Sequence, residues 1–140
     1  MRAAGIDLGQ VRVGVAVADE LGLLAHPRPF LDGRATDDLL EDLARLAIDE
    51  KIEIFIVGLP RGLRGQEGRP ARRAREFAAK LADRTKLPVE LIDEWFTTVE
   101  ARARLHQQGL TDRQARSRID SAAAAVLLQS WLDSQRERDE

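Results

Sequence analysis

The sequence contains no cysteine, which excludes disulfide bonds, thiolate catalysis and zinc sites built on sulfur. Its 2 histidines, His26 and His106, are far apart in the chain, so any metal ion is expected to be held by oxygen ligands. No run of about 18 apolar residues occurs that could cross a membrane. Arg2 alone precedes the first apolar segment, and no signal-peptide pattern follows it. We therefore expect a soluble, cytoplasmic protein.

The composition is that of a globular protein with a well-charged surface. The chain has 140 residues, of which 44% are hydrophobic and 33% are charged. This length and composition predict one domain that spans residues 1–140.

Charge is distributed unevenly although the formal net charge is only -2. Of the 22 basic residues, 3 are lysine and 19 are arginine. Arginine suits bidentate contact with phosphate, but a GC-rich coding bias produces the same ratio. Six arginines and one acidic residue, Glu67, lie between Arg61 and Arg75. A block of this kind creates a local field that attracts polyanions such as nucleic acids.

Hydrophobic spacing and turn residues predict five strands. Two of them share one segment around a tight turn, and the full set covers residues 3–19, 23–31, 52–57 and 87–92. Pro27 and Pro29 restrict the third strand to an edge of the sheet. Gly58 is expected to end the fourth strand.

The same reasoning predicts four helices. They start at the N-cap Thr36, near Pro70, at the capping box Thr97–Glu100, and near Thr111. The second helix follows a glycine-rich loop over residues 59–68, and the last helix includes residues 119–134. Trp131 falls on the apolar stripe of this last helix and is expected in the core.

The order of these elements predicts an α/β fold with a mixed five-stranded sheet and helices on both faces. The first three strands form an antiparallel meander, and the last two strands are parallel. This order is that of an RNase H-like fold.

Three acidic residues are expected at one edge of such a sheet, because ligands of open α/β sheets gather beyond the carboxyl ends of the parallel strands. Asp7 lies in the first strand between glycines, Glu94 follows the last strand, and Asp120 lies near the start of the last helix. Each has a structural alternative: a buried hydrogen-bonded aspartate, a solvated loop glutamate, and a negative charge favoured at a helix start.

A divalent cation would allow three carboxylates to remain ionised at one place. Oxygen ligands alone suit Mg²⁺ or Mn²⁺, and two such ions catalyse phosphodiester cleavage. The sequence therefore predicts that Asp7, Glu94 and Asp120 bind metal and are catalytic.

Basic residues near the same edge are expected to contact the nucleic-acid backbone. These candidates are Arg12 after the first turn and, in and after the glycine-rich loop, Arg61, Arg64, Arg69, Arg72 and Arg73. The loop lacks the Gly-Lys-Ser/Thr sequence of a P-loop. Asp93, Thr97 and Thr98 are supporting candidates, although the threonines are first of all helix caps. Trp95 is expected either to stack on a base or to pack in the protein.

Four segments, GIDLGQVRVGVAVAD, IVGLPRGLRGQEG, DEWFTT and IDSAAAAVLLQSWLD, resemble in order and spacing the motifs of the YqgF family. Its members are described as Holliday junction resolvases and as pre-16S rRNA nucleases. The resemblance implies an RNase H-like, metal-dependent nuclease whose acidic positions fall on Asp7, Glu94 and Asp120. Trp95 and Gly62 depart from the family pattern, where arginine and a polar residue are usual, and this affects the expected substrate contacts.

Two questions remain open from the sequence. The substrate is either the 5′ end of a 16S rRNA precursor, in ribosome biogenesis, or a four-way DNA junction, which requires a twofold dimer for symmetric cutting. The protein is therefore a monomer or a homodimer. The alternative to an enzyme is a non-catalytic ribosome-assembly factor that binds RNA through its arginines. An actin-like sugar kinase is disfavoured because the chain is too short for two lobes.

Overall fold

The computed structural model describes residues 2–61, 64–93 and 112–139, with the side chains of the last segment described over 121–138. Its strands are β1 (Ala3–Leu8), β2 (Arg12–Ala18), β3 (Ala25–Asp32), β4 (Ile54–Leu59) and β5 (Val89–Asp93). Its helices are α1 (Thr36–Asp49), α2 (Arg69–Thr85) and α3 (Asp112–Asp139).

The strands form one mixed sheet in the order β3-β2-β1-β4-β5. β1, β2 and β3 are successive antiparallel neighbours, whereas β4 pairs in parallel with both β1 and β5. The predicted meander plus two parallel strands is therefore confirmed. β3, with its two prolines, lies at the edge of the sheet, as predicted.

Helices cover both faces of the sheet. Successive side chains of a strand point to opposite faces, and both faces of this sheet carry apolar side chains that pack against helices. On one face, Ile6 and Phe55 pack with apolar residues of α1 and α2. On the other face, Ala3 and Ile56 pack with α3, including Trp131. The Trp131 side chain is buried and its Nε1–H donates to Glu90 Oε2 at 3.0 Å, which confirms its predicted place in the core.

Helix α3 runs antiparallel to β3, and hence to β1. The Gln129 side chain accepts a hydrogen bond from Ala25 N–H, and the Ser121 hydroxyl donates to the carbonyl oxygen of Arg28. Later residues of β3 thus meet earlier residues of α3. The N-terminal part of α3 consequently lies at the carboxyl edge of β1.

Several element boundaries differ from the predictions. Thr36 is the first residue of α1 rather than its N-cap, which is Ala35 without a side-chain capping bond. Gly58 does not end β4, because it continues the parallel pairing opposite Ile92. The fourth and fifth strands each start two residues later than predicted. The helix predicted from Thr97 lies outside the described residues.

None of the described helices is both long and apolar enough to cross a membrane.

Candidate active site at the carboxyl edge of the sheet

Asp7 lies next to the end of β1 and is partly exposed. Ala3 and the backbone of Gly5 pack against α3, and side chains two residues apart in a strand share a face. The alternation therefore directs Asp7 to the α3 face of the sheet, at its carboxyl edge.

Residues without side chains surround Asp7 in the sheet. Gly14 is its partner on β2, and on β4 the residue after Val57, which pairs with Ile6, is Gly58. Neither neighbouring strand therefore places a side chain beside the carboxylate on this face.

Close contact between β1 and α3 also depends on a glycine. A Cβ atom added to Gly5 would lie 2.8 Å from Leu128 Cβ and 3.0 Å from the carbonyl oxygen of Ala124. Because glycine has no side chain, α3 can approach β1 closely at Gly5, two residues before Asp7. This explains physically why a glycine precedes the aspartate in the first motif.

The turn after Asp7 is equally tight. Gly9 N–H donates to the carbonyl oxygen of Asp7 at 3.1 Å, and a Cβ atom on Gly9 would lie 2.2 Å from the carbonyl oxygen of Arg12. On the other side, Gly33 N–H donates to the carbonyl oxygen of Val11 at 2.7 Å. Asp7 is thus followed by a closely packed β1–β2 turn.

The structure describes less of the other predicted acidic residues than it does of Asp7. Asp93 is the last residue of β5 and is exposed. It has the strand parity of Leu91, which packs with the α1 and α2 core, so it lies on the face opposite to Asp7. Asp120 lies on the described backbone of α3, but its side chain is outside the described part.

Four further candidates, Glu94, Trp95, Thr97 and Thr98, lie outside the described residues, as does Gly62. Within the described part of the chain, no group of three or more His, Cys, Asp or Glu side chains could hold a metal ion. Of the three predicted ligands, that search covers the Asp7 side chain alone.

Part of the arginine block is neutralised by one carboxylate. Glu67, in the glycine-rich loop, binds Arg75 of α2 through two hydrogen bonds of 2.7 Å and lies 3.5 Å from Arg61 Nη2. The hydrogen bond from Arg75, reinforced by the charges of Arg75 and Arg61, lowers the pKa of Glu67 below its ordinary value. This cluster attaches both ends of the loop to α2.

The remaining arginines of the block differ in their surroundings. Arg64, Arg69 and Arg72 are exposed and make no side-chain ion pair with the described residues. Arg73 is half-buried, and its Nη2–H donates to the carbonyl oxygen of Gly9 at 3.0 Å. The sequence identifies these arginines as candidates for nucleic-acid contact, but it does not predict the contact of Arg73 with Gly9. The two residues are 64 positions apart, and spacing along the chain carries no signal for such a contact.

Arg12 begins β2 at the same edge of the sheet and is exposed. Its guanidinium carbon lies 5.6 Å from the ring centroid of Phe30, a cation–π distance. Stacking of this kind orients the guanidinium while its N–H groups remain available to a ligand. Nearby, hydrogen bonds from the side chain and the backbone N–H of Arg34, reinforced by its charge, lower the pKa of Asp32 to about 2.

Comparison with known proteins identifies the family. The chain matches the family model described as RuvX, Holliday junction resolvase, over residues 1–134. The protein belongs to the RuvX family. RuvX is another name for the YqgF family, so the resemblance seen in the four motifs is confirmed.

Curated relatives of this RuvX protein share the name "Putative pre-16S rRNA nuclease". One from Anaeromyxobacter sp. (strain Fw109-5) is 44% identical over 133 residues, which are 95% of this chain and 97% of the relative. Another, from Picosynechococcus sp., is 37% identical over 132 residues, with 94% and 92% of the two chains covered. The family description and these names both denote nucleases, so nuclease chemistry is the activity class of the family.

Solved structures confirm the fold. RuvC of Thermus thermophilus, in complex with a Holliday junction substrate, matches with a TM-score of 0.62 at 16% identity, covering 98% of this chain and 96% of RuvC. The fowlpox virus resolvase, in complex with Holliday junction DNA, matches with a TM-score of 0.58 at 13% identity, covering 96% and 99%. The RuvX chain therefore has the predicted RNase H-like fold.

Proposed function

We propose that this protein is a divalent-metal-dependent nuclease in which Asp7, Glu94 and Asp120 hold the metal. The observation that carries the proposal is the position of Asp7. It lies at the carboxyl edge of the central strand, faces α3, and is flanked on both neighbouring strands by glycine. Family membership supports the same reaction class.

The direction of α3 supports a place for Asp120 in this site. Gly5 lies against Ala124, and Asp7 is two residues further along β1, an advance of roughly 6.6 Å. One turn back along the antiparallel helix, an advance of about 6 Å, leads from position 124 to position 120. The step from Gly5 to Asp7 and the step from Ala124 to position 120 therefore run toward the same edge of the sheet and have similar lengths.

The donor set fits a hard divalent cation. Carboxylate oxygens are the preferred ligands of Mg²⁺ and Mn²⁺, and Glu94 directly follows the last residue of β5, two strands from β1. When bound, two such ions activate water for attack on phosphorus and stabilise the leaving oxygen. The protein's own residues orient the cleaved strand, with Arg12 stacked at the edge of the site. Asp93, Thr97 and Thr98 remain supporting candidates for the same edge.

The exposed arginines of the block supply a track for the sugar-phosphate backbone. Arg64, Arg69 and Arg72 have no ion-pair partner among the described residues, whereas Arg61 shares Glu67 with Arg75. Contacts of this kind bind nucleic acid without reading its sequence. We assign the recognition of a structured substrate to its backbone shape and not to its bases.

The substrate we propose is the 5′ end of a 16S rRNA precursor, cut during ribosome biogenesis in the cytoplasm. The names of the curated relatives favour this substrate. The second candidate is a four-way DNA junction cut by a homodimer, which the family description favours. A role in RNA binding without cleavage is the remaining alternative, with precursor ribosomal particles as the partner.

Cleavage assays with both substrates test the proposal. The full chain is incubated with a labelled 16S rRNA precursor fragment or a four-way DNA junction, with Mg²⁺, Mn²⁺ or EDTA, and Asp7→Asn is the matched control. We expect metal-dependent cleavage of the RNA that the control lacks. Cleavage of the junction alone by a protein of dimer mass favours the resolvase, and binding without cleavage of either substrate overturns the nuclease assignment.

A further inference from the structure

We infer that Arg73 is a positioning residue for Asp7 and does not belong to the phosphate track. This inference rests on the proposed function of Asp7 as a metal ligand. It reassigns one arginine of a block that the sequence treats as uniform.

The contact that carries the inference links α2 to the end of β1. Arg73 Nη2–H donates to the carbonyl oxygen of Gly9 at 3.0 Å, across 64 residues of sequence. Arg73 is half-buried, whereas Arg72, its neighbour on α2, is exposed. The guanidinium of Arg73 is therefore directed at the backbone of the β1–β2 turn.

Gly33 lies close to the carbonyl group that Arg73 binds. Gly33 approaches so closely that a Cβ atom added to it would lie 3.2 Å from the same Gly9 oxygen and 2.7 Å from Val13 Cγ2. Gly9 in turn donates its N–H to the carbonyl oxygen of Asp7. The β1–β2 turn thus lies between α2 and the segment before α1. The hydrogen bond from Gly9 N–H to the Asp7 carbonyl oxygen links the position of the turn to that of Asp7.

This arrangement matters because a metal site tolerates little movement of its ligands. Functional side chains must be held within roughly 0.5 Å of the productive geometry by the groups around them. Asp7 is followed by only one further strand residue before the turn, so movement of the turn reaches its side chain directly. Loss of the Arg73 contact should therefore weaken metal binding more than it weakens binding of nucleic acid.

Arg73→Gln and Arg73→Lys, compared with Arg72→Gln, test this assignment. Mn²⁺ binding is measured by EPR titration, cleavage as a function of Mn²⁺ concentration, and nucleic-acid binding without metal as a function of salt. We expect Arg73→Gln to raise the Mn²⁺ concentration for half-saturation about 10- to 100-fold. Lysine should restore part of the loss because it can still donate to the Gly9 oxygen.

The salt dependence separates the two roles. Loss of one contact between an arginine and a phosphate lowers the magnitude of the log-log slope by roughly 0.7 to 0.9, so Arg72→Gln should lower the slope and leave Mn²⁺ binding unchanged. Arg73→Gln should leave the slope unchanged. A lowered slope for Arg73→Gln, with unaltered Mn²⁺ binding, would show that Arg73 contacts phosphate and would overturn the inference.

Amide hydrogen exchange keeps the inference testable even where the proposed function fails. If the parent protein neither binds Mn²⁺ nor cleaves, the nuclease proposal is wrong, but Arg73→Gln should still accelerate exchange in the peptide that covers residues 5–13. Arg72→Gln should not change it. Unchanged exchange in Arg73→Gln overturns the positioning role whatever the metal data show.

Discussion

At the residue scale, Asp7 is surrounded in the sheet by residues that lack side chains. Gly14 and Gly58 are its neighbours on the two adjoining strands, Gly5 brings α3 close to β1, and Gly9 permits the tight turn that follows. The aspartate therefore lies at an accessible edge with its backbone fixed on both sides. This combination suits a metal ligand.

Asp7→Asn should abolish cleavage without destabilising the metal-free protein. If Asp7 shares its site with Asp120 and Glu94, removing one negative charge relieves repulsion between carboxylates. We expect a melting temperature in EDTA equal to or above that of the parent, together with loss of activity. Thermal melts of Asp7→Asn and Asp120→Asn in EDTA are the measurement. A marked fall in melting temperature for both variants would mean that the acids are structural.

Glu67 supplies a second prediction, on pH dependence. Arg75 and Arg61 lower its pKa from 4.5 in the folded protein, so its ion pairs stabilise the fold above that value and cease to do so as the pH falls through the lowered pKa. Glu67→Gln should therefore melt below the parent at pH 7, and the difference should shrink below about pH 4.

Glu76→Gln, which replaces an exposed glutamate of α2, is the control and should show a smaller difference at pH 7. A gap between parent and Glu67→Gln that is the same at pH 7 and pH 3 would contradict an electrostatic origin. Because these groups are exposed, the expected differences in melting temperature are small.

At the scale of elements, the contact between β1 and α3 determines whether the two aspartate positions can meet. α3 contributes the small residues Ala124 and Ala125 to the cluster that it shares with the sheet. Gly5 completes this close contact from the strand side. Small residues thus set the distance between β1 and α3 at Gly5, two residues before Asp7.

Gly5→Ala should therefore destabilise the protein by about 1–3 kcal/mol, as expected for overpacking of a tight core. The added Cβ would meet Leu128 Cβ and the Ala124 carbonyl oxygen at 3.0 Å or less, and the backbone oxygen cannot move away freely. Denaturant unfolding measures the loss. Gly68→Ala is the control, since its Cβ would meet only Pro70 Cδ at 3.8 Å; equal stability of both variants would contradict the close contact.

The sequence predicts the elements well because each described strand and helix has its own hydrophobic period. It misplaces the end of β4, since glycine normally interrupts strands, whereas Gly58 is retained by pairing with β5. The position of Asp7 in the first strand could be predicted from the sequence, whereas its role in a metal site stays a prediction. The separate role of Arg73 could not be predicted, because it depends on a contact with Gly9 that arises only when α2 packs on the sheet.

At the scale of the whole molecule, a slightly acidic chain has a group of exposed arginines at the start of α2 that make no ion pair with the described residues. The formal net charge is -2, yet Arg64, Arg69 and Arg72 stand exposed where the glycine-rich loop leads into α2. Arg84, at the far end of α2, is instead paired with Glu41. Binding of a polyanion should therefore depend on the first group and not on Arg84.

Replacing Arg64, Arg69 and Arg72 by alanine should flatten the salt dependence of RNA and DNA binding. Each lost phosphate contact removes roughly 0.7 to 0.9 from the log-log slope, so the triple variant should lose up to about three times that amount. Arg84→Ala should leave the slope unchanged. Titrations at several salt concentrations measure this, and an unchanged slope in the triple variant would make these arginines a solvated surface only.

The account as a whole depends on metal-dependent cleavage at the Asp7 edge. The most direct measurement is the single-turnover cleavage rate of the 16S rRNA precursor fragment with Mn²⁺, for the parent, Asp7→Asn and Asp120→Asn. The account predicts cleavage by the parent that EDTA abolishes, and a rate lower by about two orders of magnitude or more in each variant. Cleavage in EDTA, or variants that cleave at the parent's rate, would contradict it.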